Sequence, residues 1–176
     1  MSKPLKVAFT GWMGSGKTDA AKYLKFNYDC EIISFADGIK YIDRYLFGSG
    51  KKNRERLQKI GEFGRTLDPD IWVKRTMETA ADEENVAIDD VRRMNEYNAL
   101  VDDGFIVIRT VADEDVRVQR LIDRDGSCDV SLMYNDSETG MEHLDLPEIE
   151  NNGTIEELHE KLDVLMKSYG FSKVVN

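Results

Sequence analysis

With 176 residues, 41% of them hydrophobic and 33% charged, the chain has the size and composition of one globular domain, which excludes an extended disordered polymer. Its formal net charge of −10 argues against a broad nucleic-acid footprint and against an anionic membrane as partner. No secretory pattern precedes the first apolar run, and no run reaches the roughly 18 residues of a membrane span, so a cytoplasmic protein is expected.

Residues 5–9 form an apolar run broken by Lys6, the pattern of a buried strand in a parallel sheet. A helix is predicted over 19–26, with Ala20, Tyr23 and Leu24 at helical spacing, and a strand over 31–35. The next helix runs to Phe47 and places Ile39, Ile42 and Leu46 on one face, with Asp37, Lys40 and Arg44 opposite. Residues 48–53 are a polar loop by composition. Helices follow over 54–64 and 70–81, the second with Pro69 as its starting signal. Then come a strand over 85–88, a short helix over 95–103 closed by Gly104, and a strand over 105–108. Arg117, Arg120 and Arg124 repeat a helical spacing ahead of 125–147, a polar stretch of weak periodicity read as mobile. Thr154 and Glu157 make a capping box for a last helix with Ile155, Leu158, Leu162 and Leu165 on one face. Strands alternating with helices, without repeats or linkers, predict one α/β domain around a parallel sheet. Cys30 and Cys128 fit reduced thiols, and His143 and His159 fit surface positions.

Residues 11–18, Gly-Trp-Met-Gly-Ser-Gly-Lys-Thr, satisfy G-x-x-x-x-G-K-[ST] in full, between a predicted strand and a predicted helix. Glycines let such a loop curl until successive N–H groups point at phosphate oxygens, and the following helix adds its unpaired donors. Lys17 would reach the β- and γ-phosphates of ATP, and the Thr18 hydroxyl would ligate magnesium. The strand over 85–88 ends in Asp89 and Asp90, where a carboxylate would serve that metal; Asp89 is favoured over Asp90. Phosphoryl transfer to an anionic acceptor also needs positive groups. Arg65, Arg92 and the trio at 117, 120 and 124 are the candidates. A solvated helix face explains Asp37, Lys40 and Arg44 equally well, and Asp113, Glu114, Asp115 and Asp123 could neutralise the trio locally.

With these residues in hand the chain resembles nucleoside monophosphate kinases, and above all the deoxynucleoside monophosphate kinases of tailed bacteriophages. The resemblance rests on 34–40 (Ser-Phe-Ala-Asp-Gly-Ile-Lys), 58–65 (Gln-Lys-Ile-Gly-Glu-Phe-Gly-Arg) and 68–73 (Asp-Pro-Asp-Ile-Trp-Val). It continues through 88–96 (Ile-Asp-Asp-Val-Arg-Arg-Met-Asn-Glu), 135–138 (Asn-Asp-Ser-Glu) and 151–154 (Asn-Asn-Gly-Thr), in the expected order along nearly the whole chain. Two departures stand out: Gly38, where Pro is frequent, and Arg93-Met94, where an aromatic residue and Pro are usual. The resemblance implies a three-layer P-loop kinase fold with a five-stranded parallel sheet, a monophosphate-binding region over 35–80 and a short lid over 117–145. Carried over to these positions, Asp37, Lys40, Arg65, Trp72, Arg92 and Glu96 would bind the acceptor. Lys17, Arg92, Arg120 and Arg124 would act on the migrating phosphoryl group. Gly11, Met13, Gly14, Ser15, Gly16, Lys17, Thr18 and Asp19 would cradle ATP together with Arg120. Asn152, Gly153 and Thr154 would line its adenine side, and Thr18 and Asp89 would hold the metal. The implied reaction converts ATP and a deoxynucleoside monophosphate to ADP and the diphosphate, with Mg2+ as cofactor and small nucleotides as partners, no nucleic-acid polymer and no membrane. A homodimer is compatible with it, and the location would be the host cytoplasm for a phage-encoded chain. Dephospho-CoA kinase and phosphomevalonate kinase share the layout, and a nucleotide-binding regulatory module is the reading outside enzymes.

Overall fold

A computed structural model describes residues 3–48, 50, 53–128, 130, 133 and 140–174. The 135–138 segment, part of the 48–53 loop and part of the 117–145 range lie outside the described residues. In chain order the elements are β1 (Lys6–Thr10), α1 (Lys17–Tyr28), β2 (Glu31–Ile33), α2 (Asp37–Phe47), α3 (Arg54–Leu67) and α4 (Ile71–Ala81). They continue with β3 (Val86–Ile88), α5 (Met94–Asp102), β4 (Ile106–Val111), α6 (Glu114–Asp125), β5 (Glu148–Glu150) and α7 (Ile155–Ser168).

The five strands form one parallel sheet in the order β2-β3-β1-β4-β5. Val7 lies between Ala87 and Ile106, and Ala8 between Ile88 and Val107. These central strands are apolar on both faces, as a sheet covered on both sides requires. One face packs Val7, Phe9 and Ile108 under Leu24 of α1 and Leu158, Leu162 and Met166 of α7. The other packs Ala8, Ile88 and Val107 under Val73 and Ala80 of α4 and Leu100 of α5. The result is the three-layer α/β architecture expected of the sequence.

Several local expectations are corrected. β2 ends at Ile33, short of Phe35, because the Ser34 N–H donates to Asp37 Oδ2 (2.8 Å) and the Phe35 N–H to Asp90 Oδ1 (2.8 Å), leaving the strand ladder. β4 runs on to Val111, and β5 is a strand that residue pattern alone did not pick out: of Glu148, Ile149 and Glu150 only Ile149 is buried. On α2, Ile39 is buried and Ile42 half-buried, but Leu46 is exposed. The inward position is instead Asp43, whose carboxylate pairs with Arg56 of α3, because α2 packs against α3 and α4. On α7 the buried row is Leu158, Leu162 and Met166, while Ile155 is exposed. Thr154 and Glu157 do form the predicted capping box. His159 is no plain surface residue; it stacks on Tyr23 at 3.9 Å between ring centroids. Both cysteines are free, and burial pushes the Cys30 thiol up to about 12.

Three glycines share one task. A Cβ on Gly64 would stand 2.5 Å from Trp72 Cζ2, and one on Gly38 would stand 3.0 Å from Trp72 Cζ3. The third, Gly61, accepts the indole N–H through its carbonyl at 3.0 Å. The Trp72 ring therefore sits in a slot between α2 and α3, and locks α4 to both.

Candidate active site

The loop between β1 and α1 is shaped by its neighbours as much as by its glycines. Gly11 has φ 131° and Gly16 has φ 101°, a region that side chains beyond glycine rarely adopt. A Cβ on Gly11 would lie 2.2 Å from the Thr110 carbonyl, and one on Gly16 would lie 2.2 Å from Asn151 Nδ2. Ser15 is buried and its Oγ lies 2.7 Å from Thr110 Oγ1. The N–H groups at the start of α1 have no side-chain cap, which leaves them available to an anion at the loop. Lys17 Nζ donates to the carbonyls of Gly11 and Trp12, the second at 3.0 Å, so its ammonium lies over the same loop.

Thr18 Oγ1 donates to Asp89 Oδ2 at 2.8 Å. A hydroxyl and a carboxylate oxygen are hard donors that suit Mg2+. Among the described residues there is no cluster of three or more His, Cys, Asp and Glu side chains to hold a metal unaided. The donor set thus fits a cation that arrives with phosphate oxygens of its own. Asp90 is engaged elsewhere, accepting from Ser34 Oγ (2.7 Å) and from the Phe35 and Ala36 N–H groups. Loss of water around its carboxyl, with the Asp89 charge beside it, raises its pKa.

A cleft of about 1590 Å³ opens at the carboxyl ends of the strands, the edge where open α/β sheets bind ligands. It exceeds the roughly 300–1,000 Å³ typical of a single small-ligand pocket. The P-loop lies at its centre, after β1, with Met13, Gly14, Gly16, Lys17, Thr18 and Asp19 among its lining. On the β4–β5 side stand Arg120, Arg124 and Gly153. Arg120 reaches the Gly14 and Gly153 carbonyls and Asn151 Oδ1, each at 3.4 Å. Arg124 makes two bonds to Asp125 (2.9 and 2.7 Å), which also accepts from Arg54 of α3 (2.8 Å). These cations hold the Asp125 carboxyl down at about 2.

On the β2–β3 side the cleft is lined by Lys40, Arg65, Arg92 and Glu96, all singled out from the sequence. Glu96 is buried, and its Oε2 accepts from the Arg92 and Arg93 N–H groups at 2.8 and 3.0 Å. Burial outweighs those bonds and pushes its carboxyl up to about 7. Arg65 is half-buried, and desolvation together with the neighbouring Arg93 lowers its pKa from the ordinary value, though a guanidinium stays charged.

Seven of the sequence-derived candidates do not line the cleft, among them Arg117, which is buried with its Nε donating to the Ala112 carbonyl at 3.0 Å. Gly11 and Ser15 brace the loop from behind. Asp37 pairs with Lys40 at 2.8 Å and caps the Ser34 N–H. Trp72 is buried in its glycine slot. Asn152 accepts from the Asp113 N–H at 2.7 Å, and Thr154 caps α7. Three of the lining residues to which the sequence assigned no role stand out. Asn151 is buried, donates to the Ser15 carbonyl at 2.9 Å and so braces the P-loop from the end of β5. Glu62 and Arg93 meet inside the cleft. Asn151 lies in the 151–154 segment that carries the resemblance, but its bracing role depends on β5, which the residue pattern did not pick out. The arginine at 93 could have been found as the second of two consecutive cations after a strand-end Asp-Asp.

No family model matches the chain. The uncharacterized protein ORF77 of Ictalurid herpesvirus 1 (strain Auburn) is 32% identical over 173 residues, covering 93% of this chain and 71% of that protein. ORF76 of the same virus is 35% identical over 75 residues, 41% of this chain and 31% of that protein. Both relatives are herpesviral, whereas the sequence resemblance pointed to bacteriophages. Among solved structures, a gluconokinase from Sinorhizobium meliloti 1021 superposes with a TM-score of 0.60 at 16% identity, over 97% of this chain and 98% of that one. TT1252 from Thermus thermophilus gives 0.59 at 16% identity, over 95% and 98%. The Mycobacterium tuberculosis APS kinase CysC, solved with AMPPNP and APS, gives 0.53 at 13% identity, over 94% and 99%. At these identities the likeness establishes the fold, which is that of the P-loop kinases. No helix among the described residues is long and apolar enough to cross a membrane.

Proposed function

This chain belongs to the family of the Ictalurid herpesvirus 1 protein ORF77, and we propose that it transfers the γ-phosphoryl group of ATP to a deoxynucleoside monophosphate. The observation that carries the proposal is one cleft with two cationic poles: the P-loop with Lys17, and a second wall with Lys40, Arg65 and Arg92. A neutral acceptor would have no use for the second pole, whereas a monophosphate, with a charge near −2 at neutral pH, would. The volume of the cleft suits two ligands side by side. The Phe-Ala-Asp, Gly-Arg and Asp-Asp-x-Arg segments around Asp37, Arg65 and Arg92 support the nucleotide reading over other phosphorylated acceptors.

In this reading an oxygen of the acceptor's phosphate attacks the γ-phosphorus in line. The bond to the β-bridging oxygen breaks, and ADP leaves with the electron pair. The acceptor oxygen is already ionised, so the residues supply position and charge in place of a general base. The P-loop N–H groups and Lys17 hold the donor's phosphates, and Arg120, fixed against Gly14 and Gly153, lies beside them. Thr18 and Asp89 would hold a magnesium ion, which when bound offsets the charge of the phosphates. The region over 35–80 would seat the acceptor, and the region from 117 would close over ATP and exclude water. The test is ADP release by the purified protein with each common deoxynucleoside and ribonucleoside monophosphate. Turnover with at least one deoxynucleoside monophosphate is expected. Turnover only with gluconate or another unphosphorylated acceptor would overturn the proposal.

A further inference from the structure

Within the cleft, two guanidinium groups from different elements converge on one carboxylate oxygen. Arg65 Nη1, on α3, lies 2.9 Å from Glu62 Oε1, and Arg93 Nη2, at the start of α5, lies 2.8 Å from the same atom. Two arginines brought this close repel unless an anion stands between them. We propose that Arg65 and Arg93 form a two-pronged clamp for the acceptor's phosphate, and that Glu62 is its resident counterion, displaced when the phosphate arrives. The inference rests on the reading that this cleft takes a monophosphate.

Three features single out Glu62 as the member that moves. Its side chain is 54% exposed, against 21% for Arg65 and 38% for Arg93, so it is the least confined of the three. It sits on α3 only three residues before Arg65, and a change of rotamer carries its carboxylate away while the backbone stays put. Exposed ion pairs of this kind are weak, whereas a phosphate offers several oxygens to two planar forks. Two of the backbone donors beside the clamp, the Arg92 and Arg93 N–H groups, are already bound by Glu96, which leaves the guanidinium groups as the charged donors at this point. The depressed pKa of Arg65, due first to burial and then to Arg93, agrees with two cations crowded at one point.

Glu62 would thus set the affinity of the acceptor site by competing for it. The clamp would stay half-neutralised between turnovers, one carboxylate against two guanidinium groups, and would favour a dianionic phosphate over a singly charged carboxylate, which has less to offer two arginines.

The test is calorimetric binding of inorganic phosphate to the intact protein, with its P-loop saturated by a non-hydrolysable ATP analogue, alongside acceptor kinetics. Arg93→Ala should weaken phosphate binding about tenfold or more, and Glu62→Gln should tighten it about threefold to tenfold. The gain from Glu62→Gln should largely vanish in the Arg93→Ala background, since the two effects share one contact. Asp123→Asn is the control: Asp123 lines the same cleft but accepts from Gln119, and its neutralisation should give less than a twofold change. Equal tightening in Asp123→Asn and Glu62→Gln would reduce the effect to general charge and overturn the clamp. So would phosphate binding in Glu62→Gln no tighter than in the wild type, an outcome that holds even if Arg93→Ala fails to fold. If no monophosphate is phosphorylated but phosphate binding follows this pattern, the clamp stands and the proposed reaction falls. If a monophosphate is phosphorylated while Glu62→Gln and Arg93→Ala leave phosphate binding and acceptor KM untouched, the reaction stands and the clamp falls.

Discussion

Replacing Gly64 by Ala should destabilise the protein, although Ala is the better helix former and Gly64 lies inside α3. In favour of the substitution is a propensity gain of about 1 kcal/mol. Against it, the new methyl would sit 2.5 Å from Trp72 Cζ2, 2.9 Å from Cε2 and 3.2 Å from Nε1. Ordinary contact is near 3.4–4 Å, so the indole or the helix must yield by about an ångström. The ring cannot swing freely, because it is buried and its N–H is tied to Gly61. Overpacking of this kind costs about 1–3 kcal/mol, and a strained or lost indole hydrogen bond about 1 kcal/mol more. The net loss should be about 1–3 kcal/mol, or a fall in Tm of roughly 3–10 °C for a chain of this size. Gly61→Ala is the matched comparison. Its methyl would meet Ile39 Cδ1 at 3.1 Å and Arg65 Nη1 at 3.2 Å, both ends of flexible side chains. That variant should lie within about 0.5 kcal/mol of wild type, the propensity gain offsetting the crowding. Urea titrations followed by far-ultraviolet circular dichroism give both numbers, and Trp72→Phe in the Gly64→Ala background should recover part of the loss. A Gly64→Ala protein as stable as Gly61→Ala would refute the slot.

Lys17→Ala should remain folded by circular dichroism yet lose about a thousandfold in turnover, since in the proposed reaction its ammonium serves the phosphates and it belongs to neither hydrophobic cluster of the core; normal turnover would sink the proposed reaction. Arg120→Ala should cost about a hundredfold in kcat with a smaller change in ATP KM, and Arg124→Ala clearly less, because its guanidinium is committed to Asp125; equal losses in the two would show that Arg124 leaves Asp125 during turnover. Glu96, raised from an ordinary 4.5 to about 7, binds its proton more tightly in the folded state. It should therefore add stability below pH 4.5 that fades as pH rises toward 7, a difference of ~3 kcal/mol between wild type and Glu96→Gln. Chemical denaturation of both proteins across that range would show it, and parallel pH profiles would contradict it.

The residues that sequence reasoning placed well are those whose role follows from local chemistry. A P-loop between a strand and a helix announces itself because the glycines, Lys17 and Thr18 must occur in one order for the backbone to curl around phosphate. Thr18 and Asp89 were paired from the sequence, and they meet at 2.8 Å. Thr154 and Glu157 cap α7 for reasons confined to four residues. The misplaced residues depend on partners far along the chain. Nothing near Leu46 says that α2 faces α3, or that Asp43 is the buried member of its turn because Arg56 reaches it. Trp72 reads as a large aromatic beside a binding motif, and only the distances to Gly38 and Gly64 reveal a packing role. β5 escaped notice because one buried residue in three carries no period, and Asn151, though within the quoted 151–154 segment, was given no role.

The strand order has a consequence for the birth of the protein. β1 is synthesised first but lies in the middle of the sheet, and its neighbours β3 and β4 arrive only with Val86 and Ile106. Until Val111 has cleared the ribosome, Val7, Ala8 and Phe9 have no complete surface to bury against, and the emerging chain must keep an apolar segment from aggregating. The phosphate loop waits longer still, since its curl leans on Thr110 and on Asn151. At roughly 5–20 residues per second, that delay is on the order of ten seconds. In the proposed reaction ATP would therefore be no early folding template: a nascent chain halted before Asn151 should fail to bind it, and nucleotide capture would mark the end of assembly.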